Sequence, residues 1–254
     1  MTFFSRIKAG MTRERTPSTA AGERIYVIGD VHGRHDLLCQ LFDVIDQHSA
    51  ALPSTNSVHL ILLGDLVDRG PDSALVIEHL HALHRKQNNI TVLLGNHEEV
   101  MLAVLGGHSG ALSAWLGLGG DKTLQSYGAA APDDGEHADR IIARARDAIP
   151  PHHVEWMRQW PLSAQSGDYF FCHAGVRPGV SLKRQAASDL LWIRQEFLGS
   201  EKDHGSVVVH GHSICSEVEM RHNRIGIDTG AYCTDILTAL YLEGEAQEIL
   251  STRA

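Results

Sequence analysis

An α/β fold with a parallel sheet is what this sequence predicts, and three observations predict it. Short apolar runs at 24–28, 60–63 and 90–94 each end in a glycine-bearing polar cluster. Helical periodicity follows each cluster, so strand, turn and helix recur three times. All the clusters fall at the carboxyl ends of their strands, where open α/β sheets place ligands. A chain of 254 residues suffices for one well-buried domain of this kind, assigned to 23–254.

Composition narrows the function classes. Lys and Arg number 22 against 31 Asp and Glu, a formal charge of −9, which argues against stable binding to nucleic acid or anionic membrane. An acidic protein acting on phosphates must build positive charge locally, from arginines or bound cations. No apolar run approaches a membrane span. The four cysteines lack C-x-x-C spacing and read as buried free thiols of a reducing, cytoplasmic compartment. Histidine is over-represented, with 17 copies. His79, His81 and His84 sit on a predicted helix without matching carboxylates, and His152 and His153 follow Pro-Pro; all five read as solvated or packed.

Taken in order, residues 1–22 combine Arg6, Lys8, Arg13 and Arg15 with Ser, Thr, Pro and Gly, and lack a sustained apolar segment. A disordered basic tail is the expectation. The first strand, 24–28, delivers Gly29-Asp30-Val31-His32-Gly33, in which a hard oxygen and an imidazole two residues apart can face the same way. A helix follows with Leu37, Leu38, Leu41, Phe42 and Ile45 on one face. The second strand, 60–63, ends at Gly64 and presents Asp65, Asp68 and Arg69, a pattern suited to a metal and a phosphate. Pro71 opens a helix over 73–85 with Leu75, Val76, Leu80 and Leu83 as its apolar stripe. The third strand, 90–94, leads to Gly95-Asn96-His97-Glu98.

Residues 99–166 read as a mostly helical insertion that shapes the substrate mouth, with Trp115, Leu116, Leu118, Trp156 and Trp160 as core. A fourth strand at 167–172 delivers His173-Ala174-Gly175, and a fifth at 207–209 delivers His210-Gly211-His212. Between them, Arg194 closes the run Leu190-Leu191-Trp192-Ile193. Runs 224–228 and 236–242 read as closing strands, the second assigned to another sheet on its length and exposure, with a further strand at 246–250.

The strand-end donors are Asp30, His32, Asp65, Asn96, His173 and His210. Nitrogen and oxygen ligands without thiolate suit Mn²⁺, Fe or Zn rather than a structural zinc. Six ligands exceed what one catalytic metal needs. Two divalent ions sharing a carboxylate fit better, at the separation of roughly 3.5–4 Å that such pairs adopt.

The motifs GDVHG (29–33), GDLVDRG (64–70), GNHE (95–98), HAG (173–175) and HGH (210–212) resemble, in content and order, those of the phosphoprotein phosphatase branch of the calcineurin-like metallophosphoesterases. Gly119-Gly120 with Thr123-Leu124, Ser126-Tyr127-Gly128, 190–194 and Ile227-Asp228-Thr229-Gly230-Ala231 resemble its bacterial serine/threonine phosphatases. The resemblance implies a four-layer α/β/β/α sandwich with a helical insertion, and hydrolysis of phosphoserine or phosphothreonine by in-line attack of a metal-bound hydroxide. Asp30, His32 and Asp65 would hold one ion, Asp65 bridging, while Asn96, His173 and His210 would complete the second, with Mn²⁺ favoured. His97 would protonate the leaving group, oriented by Asp68. Arg69 and Arg194 would grip phosphate oxygens, and Tyr232 would stand at the pocket rim. The alternative is a hydrolase of dinucleoside tetraphosphates, a related branch that generally lacks the aspartate of D-R-G and ends its third motif in Asp. Asp68 and Glu98 therefore favour the phosphoprotein substrate. Two departures, Ser213-Ile214 after HGH and Cys233-Thr234-Asp235 where relatives often carry glycine, touch the rim.

Overall fold

Two five-stranded sheets lie face to face in the computed structural model, which describes residues 16–133 and 135–253. The first sheet contains β1 (Glu23–Ile28), β2 (Ser57–Leu62) and β3 (Ile90–Val92), all parallel. The second contains β4 (Ser163–Ser166), β5 (Tyr169–Cys172), β6 (Val207–His210), β7 (Glu219–Met220) and β8 (Arg224–Gly226), with β5, β6 and β8 parallel. β9 (Thr238–Glu243) and β10 (Ala246–Ser251) return to the first sheet, giving the orders β10-β9-β1-β2-β3 and β4-β5-β6-β8-β7.

Strand alternation creates three cores. Ile25, Val27, Ile61 and Leu63 of the first sheet meet Tyr169, Phe171, Val207 and Val209 of the second, a dry layer between the sheets. The opposite parity of the first sheet, Tyr26, Ile28 and Leu62, packs beneath α1 (His35–Ala51), α2 (Ser73–Lys86) and α3 (Asn96–Leu105). The same core takes in residues of α4 (Leu112–Gly117), α5 (Gly120–Ser126), α6 (Ala138–Ala148) and α7 (Pro151–Met157). On the far side, Phe170, Cys172 and Val208 pack against α8 (Ala187–Trp192) and α9 (Gln195–Leu198). α10 (Ala231–Thr234) lies between β8 and β9 in the chain. Helix, sheet, sheet, helix is the expected four-layer order.

Several expectations need correction. Of the tail expected over 1–22, residues 1–15 lie outside the described residues. Residues 16–22 contain an anchored stretch: Thr19 N donates to Gly244 O at 3.0 Å, Ser18 O accepts from Asp168 N at 2.8 Å, and Thr19 is buried. Val76 and Leu80 of the expected α2 stripe are buried and Leu83 packs against the core, but Leu75 is 52% exposed and Ser73 and Ile77 face inward in its place. The helical insertion stops short of 166, because 163–166 form β4, antiparallel to β5. β9 does belong to a different sheet from β8, but it is buried and central, between β1 and β10. The cysteines are unpaired, yet Cys233 is exposed rather than buried.

Candidate active site

Asp65 Oδ2 is the focus of the polar cluster. His173 Nε2 lies 3.4 Å from it, and His32 Nε2 and His97 Nε2 each lie 3.7 Å away. Asp30, His32, Asp65, Asn96, His173 and Asp228 are all at most 2% exposed. Backbone tension accompanies this convergence. Among the described residues six non-glycines adopt positive φ, and five of them, His32, Asp65, Asp68, Arg69 and His212, are in the site. Each such residue costs about 1–3 kcal/mol and persists only where its surroundings over-determine it.

Glu98 supplies much of that determination. Its buried carboxylate accepts from the backbone N–H groups of Gly95, Asp65, Leu66 and Val67 at 2.7–3.2 Å, clamping the β2 turn to the start of α3. The two turns touch so closely that a Cβ built on Gly64 would fall 2.7 Å from Gly95 Cα. From sequence, Glu98 only marked a substrate branch. Its structural duty could have been read from its place at the third helical position after Gly95, where a carboxylate turns back on free N–H groups.

Three imidazoles are set as ligands. His32 and His173 donate Nδ1–H to the carbonyls of Val67 and Leu63, both at 2.9 Å, which leaves each Nε2 facing the cluster. His212 Nε2 is buried without a hydrogen-bond partner. Burial pushes His32 and His212 down to about 3, so both stay neutral; a nearby carboxylate, Asp65, opposes this in each.

His210, expected in the ligand set, is not with it. It shares the parity of Val208 and so points to the outer face of the second sheet, its ring 5.1 Å from that of Phe197. His212, two residues on and turned by its left-handed backbone, stands with Asp65 and His173 instead. The inward positions Val207 and Val209 carried the signal that His210 faces outward; nothing in the strand pattern foretold the turn that brings His212 in.

The donor set fits a pair of cations. Burial first, then the charges of Asp228 and Asp65, drive the Asp30 carboxyl well above its ordinary range, the response of acids crowded without a counter-ion. Asn96 Oδ1 and His173 Nε2 are 2.8 Å apart; against the burial that lowers it, Asp65 raises the His173 pKa, so with no cation between them a proton on Nε2 can bridge the two atoms. Asp228 is a missed member of this cluster; it follows β8 at a sixth strand end and caps Gly230 N at 2.9 Å.

Beside the donors lies an acid unit. His97 Nδ1 contacts Asp68 Oδ2 at 2.8 Å, and Asp68 Oδ1 accepts from Thr123 Oγ1 at 2.6 Å and Trp115 Nε1 at 3.1 Å. Trp115 is therefore core, as expected, and also a hydrogen-bond donor to the site. The lobe formed by α4 and α5 braces the acid unit. Burial would lower the His97 pKa, but Asp65 and Asp68 outweigh it and the net direction is up.

Arg69 Nη2 lies 3.2 Å from His97 Nε2, and its guanidinium stacks 4.6 Å over the Tyr232 ring, which also edges His32 at 5.4 Å. Tyr232, expected at the rim, is half-buried between Arg69 and His32. Arg194 is exposed, and its charge helps hold the His212 pKa down, placing it on the same side of the site.

Comparison with known proteins agrees with this picture. The family model for calcineurin-like phosphoesterases matches residues 23–238. A symmetrical bis(5'-nucleosyl)-tetraphosphatase from Vibrio cholerae is 30% identical over 167 residues, 65% of this chain and 50% of that protein. Its namesake from Legionella pneumophila is 32% identical over 181 residues, 70% of this chain and 53% of that protein. This chain spans about half the length of the curated relatives it matches. Among solved structures, a proposed diadenosine tetraphosphatase superposes with a TM-score of 0.63 at 18% identity, covering 92% of this chain and 98% of that one. A serine/threonine phosphatase from Saccharomyces cerevisiae gives 0.54 at 18% identity, covering 95% and 85%. Such identities speak for the fold alone, while the family match runs through every strand-end motif: this chain belongs to the calcineurin-like phosphoesterases.

Proposed function

We propose that this protein hydrolyses phosphoric esters or anhydrides with two divalent cations, and the observation that carries the reading is the gathering of His32 on one side and of His173 and His212 on the other about the carboxylate of Asp65. Asp30, His32 and Asp65 would hold one ion; Asp65, Asn96, His173 and His212 would hold the other. Bound there, a cation pair supplies Lewis acidity and lowers the pKa of water next to phosphorus. The chain's own residues do the rest. Arg69, braced by Tyr232, and Arg194 bind phosphate oxygens and counter charge on the way to the transition state. His97, with Nδ1–H held by Asp68, carries a proton at Nε2 for the leaving oxygen.

For substrate, the relatives named as symmetrical tetraphosphatases favour a dinucleoside tetraphosphate over the phosphoprotein expected from the motifs. The second reading, a phosphoserine or phosphothreonine monoester, is favoured by one observation, the Asp68–His97 pair. A nucleotide leaves as a phosphate whose second pKa is about 6 and needs little help from an acid, whereas an alkoxide needs a proton. Protein stripped by chelator and reloaded with Mn²⁺ should be given a dinucleoside tetraphosphate and a phosphopeptide side by side. Metal-dependent, faster cleavage of the dinucleotide to two diphosphates is expected. Faster release of phosphate from the peptide would install the second reading, and no turnover of either substrate or of p-nitrophenyl phosphate would reject both.

A further inference from the structure

On the outer helical layer, His35 and Cys39 sit four residues apart on α1 and so share a face, and His79 of α2 meets them. His35 Nε2 is 3.1 Å from His79 Nδ1 and 3.6 Å from Cys39 Sγ, while Cys39 Sγ is 3.9 Å from His79 Nδ1. Zinc bonds of about 2.0–2.1 Å to nitrogen and about 2.3 Å to sulfur, at tetrahedral angles, imply ligand separations of about 3.3–3.4 Å for N···N and about 3.6 Å for N···S. The observed triangle lies within about 0.3 Å of that figure on every edge. A hydrogen bond between His35 and His79 accounts for the shortest edge, and the sulfur completes the triangle at the long distances of a weak thiol contact, which are also those of metal ligands.

We propose that His35, Cys39 and His79 form a separate metal site, a His₂Cys site for Zn²⁺ that clips α1 to α2. Its three ligands leave a fourth position for water or a small ligand. A cavity of about 440 Å³ lined by Cys39, Phe42, His79, Asp43, Asp46 and His59 gives access, and its two aspartates attract a cation. The donor chemistry separates this site from the phosphoesterase centre: one sulfur here, only nitrogen and oxygen there. On binding, Cys39 loses its proton to solvent and becomes the thiolate ligand. The helical histidine His79, which read as solvated or packed, acquires its partners only across two helices.

Cobalt and thiol protection test the site on the whole protein. Metal-free protein titrated with Co²⁺ should develop a sulfur-to-cobalt charge-transfer band that Cys39→Ser abolishes, with one metal equivalent fewer bound, and that His79→Ala shifts to at least about tenfold higher cobalt concentration. Zn²⁺ should slow alkylation of Cys39 roughly tenfold or more, read by peptide mass spectrometry, because a coordinated thiolate is no longer a free nucleophile. The exposed Cys233 serves as internal control, labelled equally with and without Zn²⁺. If a substituted chain fails to fold, the protection measurement on the parent protein still decides. Equal labelling of Cys39 with and without Zn²⁺, or a sulfur band that survives loss of Cys39, would overturn the proposal.

Discussion

Nδ1 of His97 and Oδ2 of Asp68 are 2.8 Å apart, and both side chains are sealed from solvent. The pair fixes which imidazole nitrogen faces the reaction: Nδ1–H is spent on the carboxylate, so Nε2 looks toward Asp65 and Arg69. A residue placed in this way can give a proton to a leaving oxygen without leaving its rotamer.

His97→Asn should retain both metal equivalents and lower kcat by about 10²–10⁴-fold for alkyl phosphates, with a much smaller effect on p-nitrophenyl phosphate. The comparison of the two leaving groups is the measurement. Equal losses for both would remove the general-acid assignment.

The pH profile follows from the same pair. Against its burial, and without cations, Asp65 and Asp68 hold His97 above its ordinary range; in the loaded enzyme Asp65 would be spent on the cations, so Asp68 is left to keep the acid protonated, and the proton is lost as pH rises through the raised pKa. Asp68→Asn removes one of the two raising charges. The alkaline limb of kcat against pH should then move to lower pH, and an unmoved limb would mean that another group sets it.

His212→Ala and His210→Ala distinguish the two histidines of one motif. The His212 change should weaken metal binding by at least about 100-fold, because losing a ligand exceeds the 10–100-fold cost of losing a ligand's supporting partner. His210→Ala should keep both metals and lose stability through the contact with Phe197. Metal analysis after gel filtration separates them.

Thr123→Ala deprives the buried Asp68 carboxylate of its 2.6 Å donor. A loss of about 1–3 kcal/mol in unfolding free energy is expected, with lower kcat and unchanged metal content. Thr123→Ser restores the hydroxyl and should restore both quantities; if serine behaves as alanine does, the hydroxyl is not what matters.

Glu98→Gln replaces an acceptor of four backbone N–H groups by an amide with one oxygen. Denaturant unfolding should show a cost of about 3 kcal/mol. Because the clamp holds Asp65 at positive φ, metal affinity should fall as well.

Much of this protein is legible along the chain. Strands that alternate with helices and end in Gly-Asp, Gly-Asn or His-containing turns announce an α/β sheet and its ligand edge, because both period and turn chemistry are local properties. That Asp30, His32, Asp65, Asn96 and His173 would gather at one edge was expected from the chain alone, and they are buried together there. Tertiary structure alone decided which histidine of His210-Gly211-His212 joins them: strand parity turns His210 outward with Val208, and only the left-handed turn beyond β6 swings His212 in to Asp65 and His173. It alone showed that Glu98 reaches beyond its own helix start to the β2 turn and that Trp115 and Thr123 hold Asp68, contacts made 31 to 55 residues apart. Local pattern determines which elements form; partners distant in sequence become visible only when the chain has closed on itself.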